Sequence, residues 1–128
     1  PEKVVLHDQA VALQAPGVLG SFGVLANHAP LLSELQVGEV YYRRENGDEV
    51  RLAVGGGFCQ VFNNLVSILV ESAEMPGEIN IERASRALDR AREELRQAQG
   101  LYDADKIQQL EGAIERAQNR IRVAKLGS

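Results

Sequence analysis

The segments IERASRALDRAREELRQA, residues 81–98, and IQQLEGAIERAQNRIRVA, residues 107–124, decide the architecture. Apolar side chains fall at Ile81, Ala84, Leu88, Ala91, Leu95 and Ala98 in the first, and at Ile107, Leu110, Ile114, Ala117, Ile121 and Ala124 in the second. Both sets step 3, 4, 3, 4, 3, the spacing of a heptad seam along one face of an α-helix. Between them, Gly100 with Asp103 and Asp105 supplies residues that stop one helix and cap the next. The expected unit is an antiparallel helical hairpin whose layers are Ile81 with Ala124, Ala84 with Ile121, Leu88 with Ala117, Ala91 with Ile114, Leu95 with Leu110, and Ala98 with Ile107. Five of these layers oppose a large residue to an alanine. Such a seam lets the backbones come close but buries less apolar area than a leucine seam, where each buried methylene contributes about 0.8 kcal/mol.

Upstream of the hairpin the helical period disappears. Short β-rich runs take its place at 4–6, 10–13, 39–44, 49–54, 58–62 and 65–71, a spacing that predicts a small sandwich or barrel. Asn46-Gly47 is a hairpin turn signal because both residues tolerate positive φ. Asn63-Asn64 predicts the next reversal. Ala15-Pro16-Gly17 and the stretch Gly20 to Gly23 read as loop or bend. Gly55-Gly56-Gly57 lies between two strands with no lysine and no helix after it, so it reads as a bulge or a close backbone approach rather than a phosphate loop. Met75-Pro76-Gly77 breaks the last strand and Asn80 is the expected N-cap of the first helix. The predicted division is a β domain over 1–78 and a helical hairpin over 79–128.

The chain has 128 residues, 45% of them apolar, and a formal charge of −4. No apolar run reaches the roughly 18–20 residues of a membrane helix, so no direct membrane span is expected. A single cysteine, Cys59, excludes an internal disulfide and is expected to fill core volume. The first residue is Pro1, so an N-terminal segment is expected to precede the sequence. Residues 1–78 carry −6 and residues 79–128 carry +2. A hairpin of +2 is too weakly basic for general nucleic-acid binding but suits an acidic partner or a single anion. His7 and His28 are far apart and neither lies in a metal-ligand spacing; His28 is expected to make a structural hydrogen bond in a loop. With no nucleophile elbow, carboxylate pair or dinucleotide fingerprint, the expectation is a non-enzyme with no metal site.

With Ile81 and Ile107 at heptad position a, Arg83 and Arg90 fall at c of the first helix, and Arg116 and Arg120 at c and g of the second. In an antiparallel pair these positions share one side. Ala87 and Ala113 lie between the arginines as a floor, and Glu94 is the acid placed to neutralise them. Four guanidiniums beside small residues form a candidate clasp for a triphosphate.

Several segments carry a family resemblance. FGVLANHAPLLSEL followed by VGEV, then AVGGGFCQV, NNLVSILVESAE and the closing IERAQNRIRVAKL, resemble in content and order the epsilon subunit of bacterial and chloroplast F-type ATP synthase, the counterpart of mitochondrial delta. That resemblance implies a β-sandwich of about ten strands with a C-terminal helix hairpin, its first strand missing before Pro1-Glu2-Lys3, and a slightly longer APGVLGSFG loop. It implies a non-catalytic subunit of the rotary central stalk, with the sandwich binding the gamma subunit and the c-ring and coupling proton flow to rotation. It further implies a hairpin that moves between a folded form and an extended form that inhibits ATP hydrolysis by meeting the alpha and beta catalytic subunits. The implied place is peripheral, on the cytoplasmic face of a bacterial plasma membrane or the stromal face of a thylakoid.

Some bacterial members of that family bind regulatory ATP through a motif of Ile or Leu, Asp, two variable residues, Arg and Ala. Here the motif reads Ile79-Asn80-Ile81-Glu82-Arg83-Ala84, with Glu74 upstream and Arg90 downstream in matching places. The resemblance thus implies no required cofactor and a candidate ATP set of Glu74, Asn80, Arg83, Ala84, Arg90, Arg116 and Arg120. Asn80 stands where the motif has aspartate; its amide still accepts and donates hydrogen bonds but carries no charge. A free nucleotide-sensing module and a generic β-domain adaptor with a coiled-coil arm are the alternatives.

Overall fold

A computed structural model of the chain describes residues 4–27 and 29–127. His28, with the hydrogen bond expected of it, and the opening Pro1-Glu2-Lys3 lie outside the described residues. Two compact units divide between Met75 and Pro76, and Pro76–Glu78 forms a 3₁₀ turn that keeps company with the second helix.

Among the described residues, nine antiparallel strands build the first unit: β1 (Val4–Gln9), β2 (Ala12–Gly17), β3 (Gly20–Leu25), β4 (Leu31–Leu35), β5 (Gly38–Arg43), β6 (Glu49–Val54), β7 (Gly57–Phe62), β8 (Leu65–Val70) and β9 (Ala73–Glu74). Their hydrogen-bonded order is β1-β8-β7-β4-β2-β5-β6-β9, with β3 on the other edge of β2. The continuous sheet folds over itself into a sandwich. β2 makes the corner: Ala12 to Gln14 pair with Tyr41 to Arg43 of β5, whereas Gly17 pairs with Leu35 of β4. Alternate residues face inward, Cys59 and Val61 from β7, Val66, Ile68 and Val70 from β8, Val40 and Tyr42 from β5, and Leu52 and Val54 from β6, and they meet in one core, as the two-residue period of a strand requires.

Two expectations are corrected here. Ala15-Pro16-Gly17 and Gly20 to Gly23 are not loop but the arms of the β2–β3 hairpin, paired from Ala12↔Leu25 to Gly17↔Gly20. Neither arm has the branched composition of a strand; long-range pairing imposes it. The Pro16 carbonyl accepts from the Gln36 N–H at 2.9 Å, and a Cβ at Gly38 would lie 2.5 Å from the Pro16 ring, so only glycine opposite the ring lets this corner close. The second concerns β4, which lies outside the expected β-rich runs and pairs Leu31 to Leu35 with Val61 to Gly57. The glycine triplet behaves as expected of a close approach: a Cβ at Gly57 would meet the Leu69 carbonyl oxygen.

The second unit holds α1 (Ile81–Gly100) and α2 (Ala104–Leu126). Asn80 and Asp103 cap them, their side-chain oxygens accepting from the N–H groups of Arg83 at 3.0 Å and Lys106 at 3.1 Å. Ala91, Leu95 and Ala98 pack with Ile107, Leu110, Ala113 and Ile114 in one cluster. Two features depart from the simple seam. Ile81 is 37% exposed at the hairpin base, and Asn119 and Val123, both off the seam, are buried. They share a line of α2 with Gly127, where a Cβ would lie 2.3 Å from Pro76. The end of α2 therefore carries a second buried stripe on the side that meets the 3₁₀ turn.

Candidate functional site

The arginines of the second unit lie on both helices. Arg83 and Arg90 project from α1, and Arg116 from α2, as exposed side chains; Arg120 is half-buried. Arg83, Arg90 and Arg116 form no ion pair with any described residue. The Arg116 guanidinium lies back along its own helix, 3.2 Å from where a Cβ would stand on Gly112. The acid expected to neutralise the set, Glu94, is exposed, and the α1 ion pair instead joins Arg96 to Glu93.

The remaining candidates are placed less favourably for a ligand. Asn80 uses its side-chain oxygen to cap α1 through the Arg83 amide, which leaves its NH₂ as the group free to meet a ligand. Ala84 is fully buried and Ala113 joins the apolar cluster of the hairpin. Glu74, on β9, belongs to the first unit, where it pairs with Ala53 of β6. The structure thus brings Asn80 and Arg83 together as a cap and the peptide N–H it caps.

The first unit contains two features that the strand pattern did not single out. Asp8 at the end of β1 is clasped by Tyr42 Oη at 2.5 Å and by Arg44 Nε and Nη2 at 3.0 and 2.7 Å. The Arg44 guanidinium, helped by the Tyr42 hydroxyl, holds the Asp8 carboxyl below its usual range. Burial, reinforced by Asp8, pushes the Tyr42 hydroxyl up to about 12. This clasp ties β1 to β5, strands that share no ladder. The only cysteine, Cys59, is fully buried in β7, and burial pushes its thiol up to about 11.

The other feature is the outer face of β1, β8, β7 and β4. Register places Val5, Leu69 and Phe58 in one row across three strands and His7, Ser67, Gln60 and Leu32 in the next. They surround a shallow apolar depression of about 190 Å³, with His7 Nδ1 and Ser67 Oγ 2.9 Å apart at its polar end. Leu32 is 71% exposed and Val5 58%, so this face has large apolar groups where a solvated sheet would alternate to polar ones. The signal was present in the sequence as apolar residues at both parities of LVSILV and GFCQVF.

Comparison with known proteins gives this arrangement a context. Residues 1–76 match the family model of the ATP synthase Delta/Epsilon chain, beta-sandwich domain. The chain is 43% identical over 123 residues to the ATP synthase epsilon chain of Nitratidesulfovibrio vulgaris, covering 96% of this chain and 89% of that one. It is 44% identical over 125 residues to the ATP synthase epsilon chain of Citrifermentans bemidjiense, covering 97% and 88%. Among solved structures it resembles a chain of the Euglena gracilis mitochondrial ATP synthase, OSCP/F1/c-ring in rotational state 1, with a TM-score of 0.75 and 27% identity, covering 91% of this chain and 70% of that one.

Proposed function

This chain belongs to the epsilon-chain family of F-type ATP synthase, and from that we propose that it serves as a non-catalytic central-stalk subunit whose two units have separate tasks. The β-sandwich binds the gamma subunit and the c-ring and so couples proton-driven rotation to ATP synthesis. The hairpin restrains ATP hydrolysis by moving against the alpha and beta subunits. The observation that supports the first task is the apolar outer face of β1, β8, β7 and β4, a surface built for burial against protein. Support for the second comes from the division of the chain at Met75 and from a hairpin seam rich in alanine. The position is peripheral, on the cytoplasmic face of a bacterial plasma membrane or the stromal face of a thylakoid; no helix among the described residues is long and apolar enough to cross it.

Truncation after residue 78 tests the assignment in the assembled enzyme. The shortened chain is expected to join its complex while ATP hydrolysis rises. Failure to assemble overturns the docking role of the sandwich, and unchanged hydrolysis overturns the regulatory role of the hairpin.

A second reading, that ATP is the regulatory ligand of the hairpin, is favoured by the unneutralised guanidiniums of Arg83, Arg90 and Arg116. Titration of the isolated chain with magnesium-ATP is expected to give saturable heat that Arg83→Ala and Arg116→Ala each remove. Absence of heat at millimolar ATP ends this reading and leaves the stalk assignment intact.

A further inference from the structure

Four described residues other than glycine have positive φ. Three are asparagines, Asn27, Asn63 and Asn64, the residue type that enters the left-handed region at little cost. The fourth is Tyr102, at φ 54°, in the three-residue turn between α1 and α2. The turn closes with the paired bonds of a helix ended by a left-handed residue: the N–H of Tyr102 donates to the Gln99 carbonyl and that of Asp103 to the Ala98 carbonyl, each at 3.2 Å. Glycine ordinarily holds that position. In this chain the glycine is Gly100, the last residue of α1, where a Cβ would meet nothing within 4 Å. Tyr102 is 90% exposed and Leu101 beside it 79%, so the tyrosine ring gains no burial in exchange for its backbone conformation.

We infer that Tyr102 opposes closure of the hairpin. The closed turn forces it into the left-handed region, whereas any opened state, frayed or continued as helix, returns it to negative φ. The cost therefore falls on the closed form alone and shifts the opening equilibrium about fivefold towards the open one, which corresponds to about 1 kcal/mol. Acting on a seam of alanine layers, a shift of that size keeps the hairpin near the balance point that a movable arm requires. The inference concerns the turn itself; only its consequence for hydrolysis rests on the regulatory role proposed above.

Hydrogen exchange of the full chain tests it through the protection of the Tyr102, Asp103, Leu95 and Leu110 amides in three variants. Tyr102→Gly is expected to raise protection about two- to fivefold, the lower end allowing for the greater freedom of glycine in the open state. Tyr102→Asn should follow part of the way, and Tyr102→Ala, which lacks the ring but keeps the left-handed penalty, should stay within about twofold of the parent. Equal gains in the glycine and alanine variants would assign the effect to the ring and overturn the inference, as would unchanged or lower protection in Tyr102→Gly. In the assembled enzyme, Tyr102→Gly should weaken inhibition of ATP hydrolysis, since it favours the closed hairpin. If protection rises as expected while hydrolysis does not respond, the inference about the turn stands and the regulatory role falls.

Discussion

At the residue scale the sandwich depends on a few groups with no substitute. Asp8 accepts from both Tyr42 and Arg44, and Tyr42 is almost wholly buried. Asp8→Ala leaves the Tyr42 hydroxyl without its acceptor and is expected to cost about 2 kcal/mol in chemical denaturation, whereas Tyr42→Phe, which removes donor and cavity demand together, should cost about 1 kcal/mol. The clasp also sets a pH dependence. Since Arg44 holds the folded carboxyl of Asp8 below its ordinary 3.8, its contribution is present above a pH of about 4 and is lost as pH falls through the folded value. Asp8→Asn should accordingly flatten the acid limb of the stability curve, and an unchanged limb would remove Asp8 from the account. The Tyr42 hydroxyl acts in the opposite sense: raised to about 12 from 10.0, it stabilises below the ordinary tyrosine value and loses that contribution as pH climbs through the folded one. Gly57 has a different constraint. A Cβ there would overlap the Leu69 carbonyl, so Gly57→Ala must push β7 from β8 and is expected to lower stability by about 2 kcal/mol or more, measured as a fall in denaturation midpoint.

At the scale of elements the hairpin was the most legible part, because its periodicity is local: the α1 and α2 bounds and the two caps follow from residues within one or two turns of one another. Leu110, expected opposite Leu95 in the one layer of two large side chains, is buried in the hairpin cluster that also holds Leu95. Leu110→Ala should therefore cost about 2–3 kcal/mol and lower hairpin helicity by circular dichroism, while an alanine-layer change such as Ala91→Gly acts mainly through helix propensity, about 1 kcal/mol. Asn80→Ala should likewise destabilise α1 by about 1 kcal/mol through the lost cap, and Asn80→Asp should keep the cap. The sheet was less legible. β2 and β3 contain Ala, Pro and Gly where strand formers are expected, and their pairing with each other and with β5 supplies what composition does not. The candidate site was legible as a set of residue types only. Heptad positions placed four arginines on one side and Ala84 on the buried seam, but nothing local foretold that Arg116 would lie along Gly112.

At the scale of the whole molecule, a division at Met75 predicts that unfolding is not one cooperative event. Calorimetry should resolve a transition of the hairpin from that of the sandwich, and Leu110→Ala should move the first while leaving the second in place; a single transition shifted as one would show that the units unfold together. What the amino-acid sequence determined by itself was every feature carried by short-range period or by turn chemistry: two amphipathic helices with their caps, the Asn46-Gly47 reversal, the break at Met75-Pro76-Gly77 and the family to which the chain belongs. What only the tertiary structure decided was strand order, the β2–β3 corner, the Asp8 clasp, the exposed apolar face and the left-handed Tyr102. The physical reason is sequence distance. Val4 pairs with Val70, and Tyr42 reaches Asp8 across the sandwich, so the free energy of these contacts belongs to neither partner alone. It exists only once the chain has brought them together.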